Sequence, residues 1–126
     1  LGLPTPKLLA VTVLTSIDEV ALQSVGMQGP AKDQVVRLAR LTHQSGLAGI
    51  VCSGQEISLV RAALGPDFVL MVPGIRPTGS DVGDQKRVMT PKEAMEAGAT
   101  HLVIGRPITG AADPAAAARA ILETLS

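Results

Sequence analysis

Four short, continuously apolar runs recur along the chain: LLAVTVL (Leu8–Leu14), AGIVC (Ala48–Cys52), FVLMV (Phe68–Val72) and HLVIG (His101–Gly105). Each has strand length and includes β-branched residues. Runs that are apolar on both faces suit strands covered from both sides, as in a parallel sheet. Helix signals fill the intervals. Ser16-Ile17-Asp18-Glu19, Ser53-Gly54-Gln55-Glu56 and Thr90-Pro91-Lys92-Glu93 all have the form of a capping box, with Gly26, Gly65 and Gly98 as stops. The spacing predicts a second helix over 30–45 with Val35, Leu38 and Thr42 on one face, and turns Leu59, Val60, Ala63 and Leu64 of the third helix inward. The last helix opens at Asp113-Pro114 and places Ala118, Ile121, Leu122 and Leu125 at i, i+3, i+4 and i+7.

Strand followed by helix, four times in one order, implies right-handed crossovers and a parallel sheet. Four units in 126 residues average about 31 residues each, the unit size of a (β/α)₈ barrel, which takes roughly 250 residues in all. Four parallel strands cannot close a barrel. Either they form a small open sheet, or a partner supplies the missing strands.

Composition narrows the function. An apolar fraction of 46% supports a real core, and 11 Lys+Arg against 11 Asp+Glu leaves no overall field to attract nucleic acid or an anionic membrane. Aromatic content is 1%, with Phe68 alone, so no base-stacking platform is expected. No apolar run reaches the roughly 20 residues of a membrane helix, and no signal-peptide pattern opens the chain. The one cysteine, Cys52, excludes an intrachain disulfide and fits a reducing compartment. The expected location is the cytoplasm. Cys52 ends a strand without a nearby histidine and reads as core; His43, late in a helix, suits the helix dipole, and His101 opens a strand away from the ligand end. No pair of residues has metal-site spacing.

The longest stretch without periodicity, VPGIRPTGSDVGDQKRVMTP (72–91), carries Arg76, Lys86 and Arg87 among Gly74, Gly79 and Gly83, the composition of an anion clamp. Ligands of parallel α/β folds sit at the carboxyl ends of strands. Here those ends carry Thr15, Ser53, Pro73-Gly74-Ile75-Arg76 and Gly105-Arg106-Pro107. Two neighbouring strands each end in Gly plus Arg, where backbone N–H groups can approach a phosphate and guanidinium can grip two of its oxygens.

LAVTVLTS (9–16), GIVCSGQE (49–56), VPGIRP with GDQKRVMTP, and VIGRPIT (103–109) together resemble the orotidine 5′-phosphate decarboxylase family, over nearly the whole chain and in order. The resemblance implies a (β/α)₈ barrel of which residues 1–126 would be the C-terminal half, strands five to eight. It implies conversion of orotidine 5′-phosphate to UMP and CO₂ in pyrimidine synthesis, without a cofactor or metal, by a homodimer. Carried over by motif, Arg76, Arg106 and the Gly105 backbone would hold the 5′-phosphate. Gln85 would bridge toward the pyrimidine, Thr15 would bond the pyrimidine edge, and Pro73 would line the base pocket. The family's Asp-x-Lys-x-x-Asp motif is absent: Asp84-Gln85-Lys86 begins like it, but the sixth position is Met89. No catalytic residue is therefore expected in this chain, and an N-terminal half-barrel would be its partner. The alternative is a stand-alone half-barrel that binds a phosphorylated ligand without chemistry.

Overall fold

The structure, a computed structural model, describes residues 2–83 and 88–126. Its four strands are β1 (Leu9–Val11), β2 (Gly49–Val51), β3 (Val69–Val72) and β4 (His101–Leu102), hydrogen-bonded in chain order. All three pairings are parallel, and Val11, Val51, Met71 and His101 stand side by side across the sheet. The expected four-unit α/β fold is thus present. The ladders extend a little beyond the strands, through Thr12 N–H to Val51 O (3.1 Å) and Val103 N–H to Val72 O (2.9 Å).

In-register residues of a parallel sheet point to the same side. Ile50 and Leu70 are fully buried, as is Val72, and with Val35, Ile57 and Val60 they form the core between the sheet and its helices. The other face is open: Val11 is 61% and Val103 44% exposed, although both are β-branched strand residues. β1 pairs only with β2 and β4 only with β3 among the described residues, so both outer edges present unpaired backbone groups.

Helices α1 (Glu19–Ser24) and α2 (Ala31–Gln44) separate the first two strands. The first capping box does not form. Asp18 is the cap and accepts from Ala21 N–H at 2.9 Å, because Ile17 N–H bonds back to Leu14 O and holds Ser16 in the preceding turn. In α2, Val35 and Thr42 are buried and Leu38 is partly so. After β2, Ser53 accepts from Gln55 N–H, opening a 3-10 turn (Gly54–Glu56) before α3 (Ile57–Leu64). Starting α3 at Ile57 changes the inward face: Ile57 and Val60 are buried, and Leu59 points out, 43% exposed.

The third box forms as the sequence predicts. At the start of α4 (Pro91–Ala97), Glu93 N–H donates to the Thr90 hydroxyl, while the Thr90 hydroxyl and N–H donate to the Glu93 carboxylate at 2.6 and 2.9 Å. The hydroxyl bond foremost, then the N–H, hold the exposed Glu93 carboxyl below the usual glutamate range. This cap is complete above the ordinary glutamate pKa and is lost as pH falls through the lowered one. A helix with no counterpart in the sequence reading, α5 (Arg106–Thr109), follows β4, and α6 (Pro114–Glu123) closes the chain behind an Asp113 cap. On α6 only Ile121 is buried. Leu122 (63%) and Leu125 (37%), expected inward, are exposed because no further strand lies beyond the β4 edge among the described residues.

Arg61 ties the lower rim together. Its Nε and Nη2 donate to Gly98 O at 2.9 and 2.6 Å, and its Nη1 donates to Gly65, Pro66 and Phe68 carbonyls at 3.1, 3.1 and 2.6 Å. One guanidinium thereby fastens the ends of α3 and α4 to the start of β3. Arg61→Ala in a complete barrel is expected to lower unfolding stability by about 1.5–3 kcal/mol, the range for hydrogen bonds to a charged group. Arg61→Lys should recover only part of it, since an ammonium cannot span the same fork. Urea denaturation with equal m-values measures both, and an unchanged midpoint for Arg61→Ala would show that water replaces the staple.

Candidate functional site

The strand register brings the carboxyl ends of β1, β3 and β4 to one rim. There Leu14, Thr15, Pro73, Gly74, Arg76, Val103, Gly105 and Arg106 surround a cleft of about 310 Å³. Five of the six residues that the motifs single out (Thr15, Pro73, Arg76, Gly105 and Arg106) thus share one cavity, though they lie up to 91 positions apart in sequence. The sixth, Gln85, lies outside the described residues with Asp84, Lys86 and Arg87. A larger groove of about 580 Å³ runs between α4 and α6, lined by Pro77, Pro91, Pro107 and Ala120, with Lys92 the only cation among the described residues that line it. Lys92 already pairs with Glu96 at 3.9 Å. The smaller cleft, lined by two arginines, is the one with chemistry suited to an anion.

Each side chain is held differently. Thr15 is buried at the end of β1 and packs against Gly74, whose backbone has φ +72°. A Cβ on Gly74 would stand 2.5 Å from Thr15 Cγ2, so the turn after β3 needs glycine both for its conformation and for this approach. Ile75, fully buried, forms a parallel bridge with Met89, and Arg76 N–H donates to Met89 O at 3.0 Å. These bonds pinch the base of the long loop.

The two arginines differ. Arg76 is only 8% exposed, and it donates from Nε to Asp81 O (3.1 Å) and from Nη1 to Ile75 O (2.9 Å). Arg106 is exposed at the first position of α5, and the Gly105 carbonyl before it accepts from Ile108 and Thr109. With that carbonyl committed to the helix, the N–H is the group Gly105 has to offer an anion. The loop comes over Arg106: a Cβ on Gly83 would lie 2.8 Å from Arg106 Nη1. Gly83 was expected as one of the glycines that let the anion-clamp loop bend or approach a ligand, but Asp81, which accepts from Gly83 N–H at 2.9 Å, was given no role. The signal was present as Asp-x-Gly, the pattern of an Asx turn.

The residues read as structural keep that role. Cys52 is a fully buried thiol in the core. His43 meets Phe68 edge to face at 5.6 Å, and exposed His101 contacts the Thr100 hydroxyl at 2.9 Å. Among the described residues no group of three or more His, Cys, Asp or Glu is placed to hold a metal ion, and no helix is long and apolar enough to cross a membrane.

The family model for the orotidine 5′-phosphate decarboxylase / HUMPS family matches residues 2–121. The chain belongs to this family. It is 57% identical over 125 residues to the orotidine 5′-phosphate decarboxylase of Shewanella sediminis, covering 99% of this chain and 53% of that protein. With the Rhodospirillum rubrum enzyme of the same name it shares 59% over 121 residues, 96% of this chain and 49% of that one. The crystal structure of the Lactobacillus acidophilus decarboxylase superposes with a TM-score of 0.82 at 40% identity, over 99% of this chain and 51% of the other. The chain therefore spans about half the length of these decarboxylases, in keeping with a half-barrel of four units.

The Thr15–Gly74 contact gives this family member a testable coupling. Gly74→Ala should destabilise a complete barrel by about 1–2 kcal/mol from the left-handed backbone alone, and by more from the clash. Thr15→Ser removes the nearest methyl group, so in the Gly74→Ala background it should restore part of the loss. A double-mutant cycle by chemical denaturation reads this out, and additive effects would mean that the two residues do not press on each other.

Proposed function

We propose that residues 1–126 are the C-terminal half, strands five to eight, of one (β/α)₈ barrel domain that decarboxylates orotidine 5′-phosphate to UMP. The observation that carries this reading is the convergence of Thr15, Pro73, Arg76, Gly105 and Arg106 on one cleft at the carboxyl rim. Arg106 and the Gly105 N–H hold the 5′-phosphate, with Arg76 beside them. The Thr15 hydroxyl and Gln85 meet the polar edge of the pyrimidine, and Pro73 lines its pocket. Guanidinium suits phosphate because it offers paired N–H donors at the spacing of two phosphate oxygens.

In this division of labour the chain binds and orients, while the reacting carbon is served from elsewhere. Loss of CO₂ breaks the bond from C6 to the carboxylate and leaves the electron pair on C6, where a proton must arrive. Carboxylates facing the substrate carboxylate and an ammonium beside C6 suit those tasks. Thr15, Ser53, Arg76 and Arg106, the polar side chains at these strand ends, suit neither. The acid and the carboxylates come from an N-terminal half, which also pairs with the open β1 and β4 edges and covers Val11, Val103, Leu122 and Leu125. Binding energy from the phosphate contributes to rate at the distant C6 when it is realised in the transition state. The assembled protein is read as a cytoplasmic homodimer.

The test is loss of orotidine 5′-phosphate absorbance with the purified chain, alone and mixed with a separately made N-terminal half. The expected result is no turnover alone and turnover on mixing. Activity of the chain alone that survives further purification would overturn the division of labour and turn attention to Asp84 and Lys86.

A further inference from the structure

We infer that Asp81 and Gly83 are positioning residues for Arg106, and that Arg76 serves the phosphate site through them. The inference rests on the reading of Arg106 as the phosphate grip and adds how that grip is aimed.

The chain of contacts is continuous. Ile75 is fixed by burial and by its bridge to Met89, and the Arg76 guanidinium is anchored to it through Nη1 and the Ile75 carbonyl at 2.9 Å. From that anchor, Nε reaches the Asp81 carbonyl at 3.1 Å and holds the outgoing loop in place. Asp81 then turns back: its Oδ1 accepts from Gly83 N–H at 2.9 Å. This leaves Gly83 at φ +61° with its Cα against the Arg106 guanidinium, where an added Cβ would stand 2.8 Å from Nη1 and 3.2 Å from Cζ. An added side chain would have to push the guanidinium aside, and the positive φ is itself strained for residues other than glycine. Arg106 is otherwise exposed, on a short helix at the end of the last strand. A backbone wall on one side of a long side chain removes part of its rotamer range. Binding then loses less freedom, which is the ordinary gain from preorganisation.

A purely structural role is disfavoured by where the contacts are. Asp81 and Gly83 are exposed and outside the core, so Asp81→Ala should leave the unfolding midpoint close to wild type, while Gly83→Ala, at φ +61°, also carries the left-handed backbone cost. What should change is the discrimination between ligands with and without phosphate.

The experiment measures UMP and uridine affinities by calorimetry for a complete barrel carrying single substitutions. Asp81→Ala should weaken UMP by roughly 5- to 10-fold, the equivalent of one hydrogen bond's net contribution, and leave uridine unchanged. Asp81→Asn, whose amide oxygen can accept the same N–H, should restore UMP affinity, and Gly83→Ala should weaken UMP alone. Arg106→Ala should remove most of the preference for UMP over uridine. Wild-type UMP affinity in Asp81→Ala, or an equal loss for uridine, would overturn the relay while leaving the phosphate grip intact. If Arg106→Ala keeps its preference for UMP, the phosphate reading fails and the relay with it.

Discussion

Backbone hydrogen bonds hold Val11, Val51, Met71 and His101 in parallel register, so the carboxyl ends of the strands finish level and their loops leave from one rim. The site depends on this before it depends on any side chain. Thr15 follows β1, the Pro73–Arg76 turn follows β3 and Gly105-Arg106 follows β4; none is near another in sequence, and the sheet alone brings them to one cleft. A shift of one residue in any pairing would turn that strand's core face outward and withdraw its loop from the rim. The same sheet explains the exposed apolar positions. Val11 and Val103 face a side that four strands cannot enclose, and Leu122 and Leu125 lie past an edge that four strands cannot cover.

Within the cleft, two arginines that look alike in sequence have different environments. Arg76 is buried and donates to the carbonyls of its own loop, whereas Arg106 stands at the surface with the loop laid against it. A buried guanidinium must have its donors satisfied, and loop carbonyls are the acceptors within reach. Burial therefore ties Arg76 to the shape of the loop, and exposure leaves Arg106 the more accessible of the two.

Much of the fold was legible because it rests on local patterns. The four apolar runs became the four strands, and Thr90-x-x-Glu93 became a complete capping box. Ser16-x-x-Glu19 did not, because Asp18 is an equally good cap and a turn from Leu14 to Ile17 decides between them. Helix α5 was hidden by its brevity, since Arg106–Thr109 is a single turn with no periodicity to detect. The outward Leu122 and Leu125 show a different limit: amphipathic spacing identifies a face but not what covers it. At the site, motifs located the residues that share the cleft, yet nothing in the sequence separates a buried Arg76 from an exposed Arg106. Nor does it reveal Arg61, all five of whose hydrogen bonds go to backbone carbonyls.

A crystal structure of a complete barrel with UMP bound would show directly whether this rim holds the substrate phosphate. Phosphate oxygens are expected about 2.7–2.9 Å from the Arg106 guanidinium, the range of charge-assisted hydrogen bonds, with the Gly105 N–H as a further donor and the Thr15 hydroxyl at the pyrimidine edge. A phosphate bound away from the ends of β3 and β4, with Arg106 turned to solvent, would contradict this.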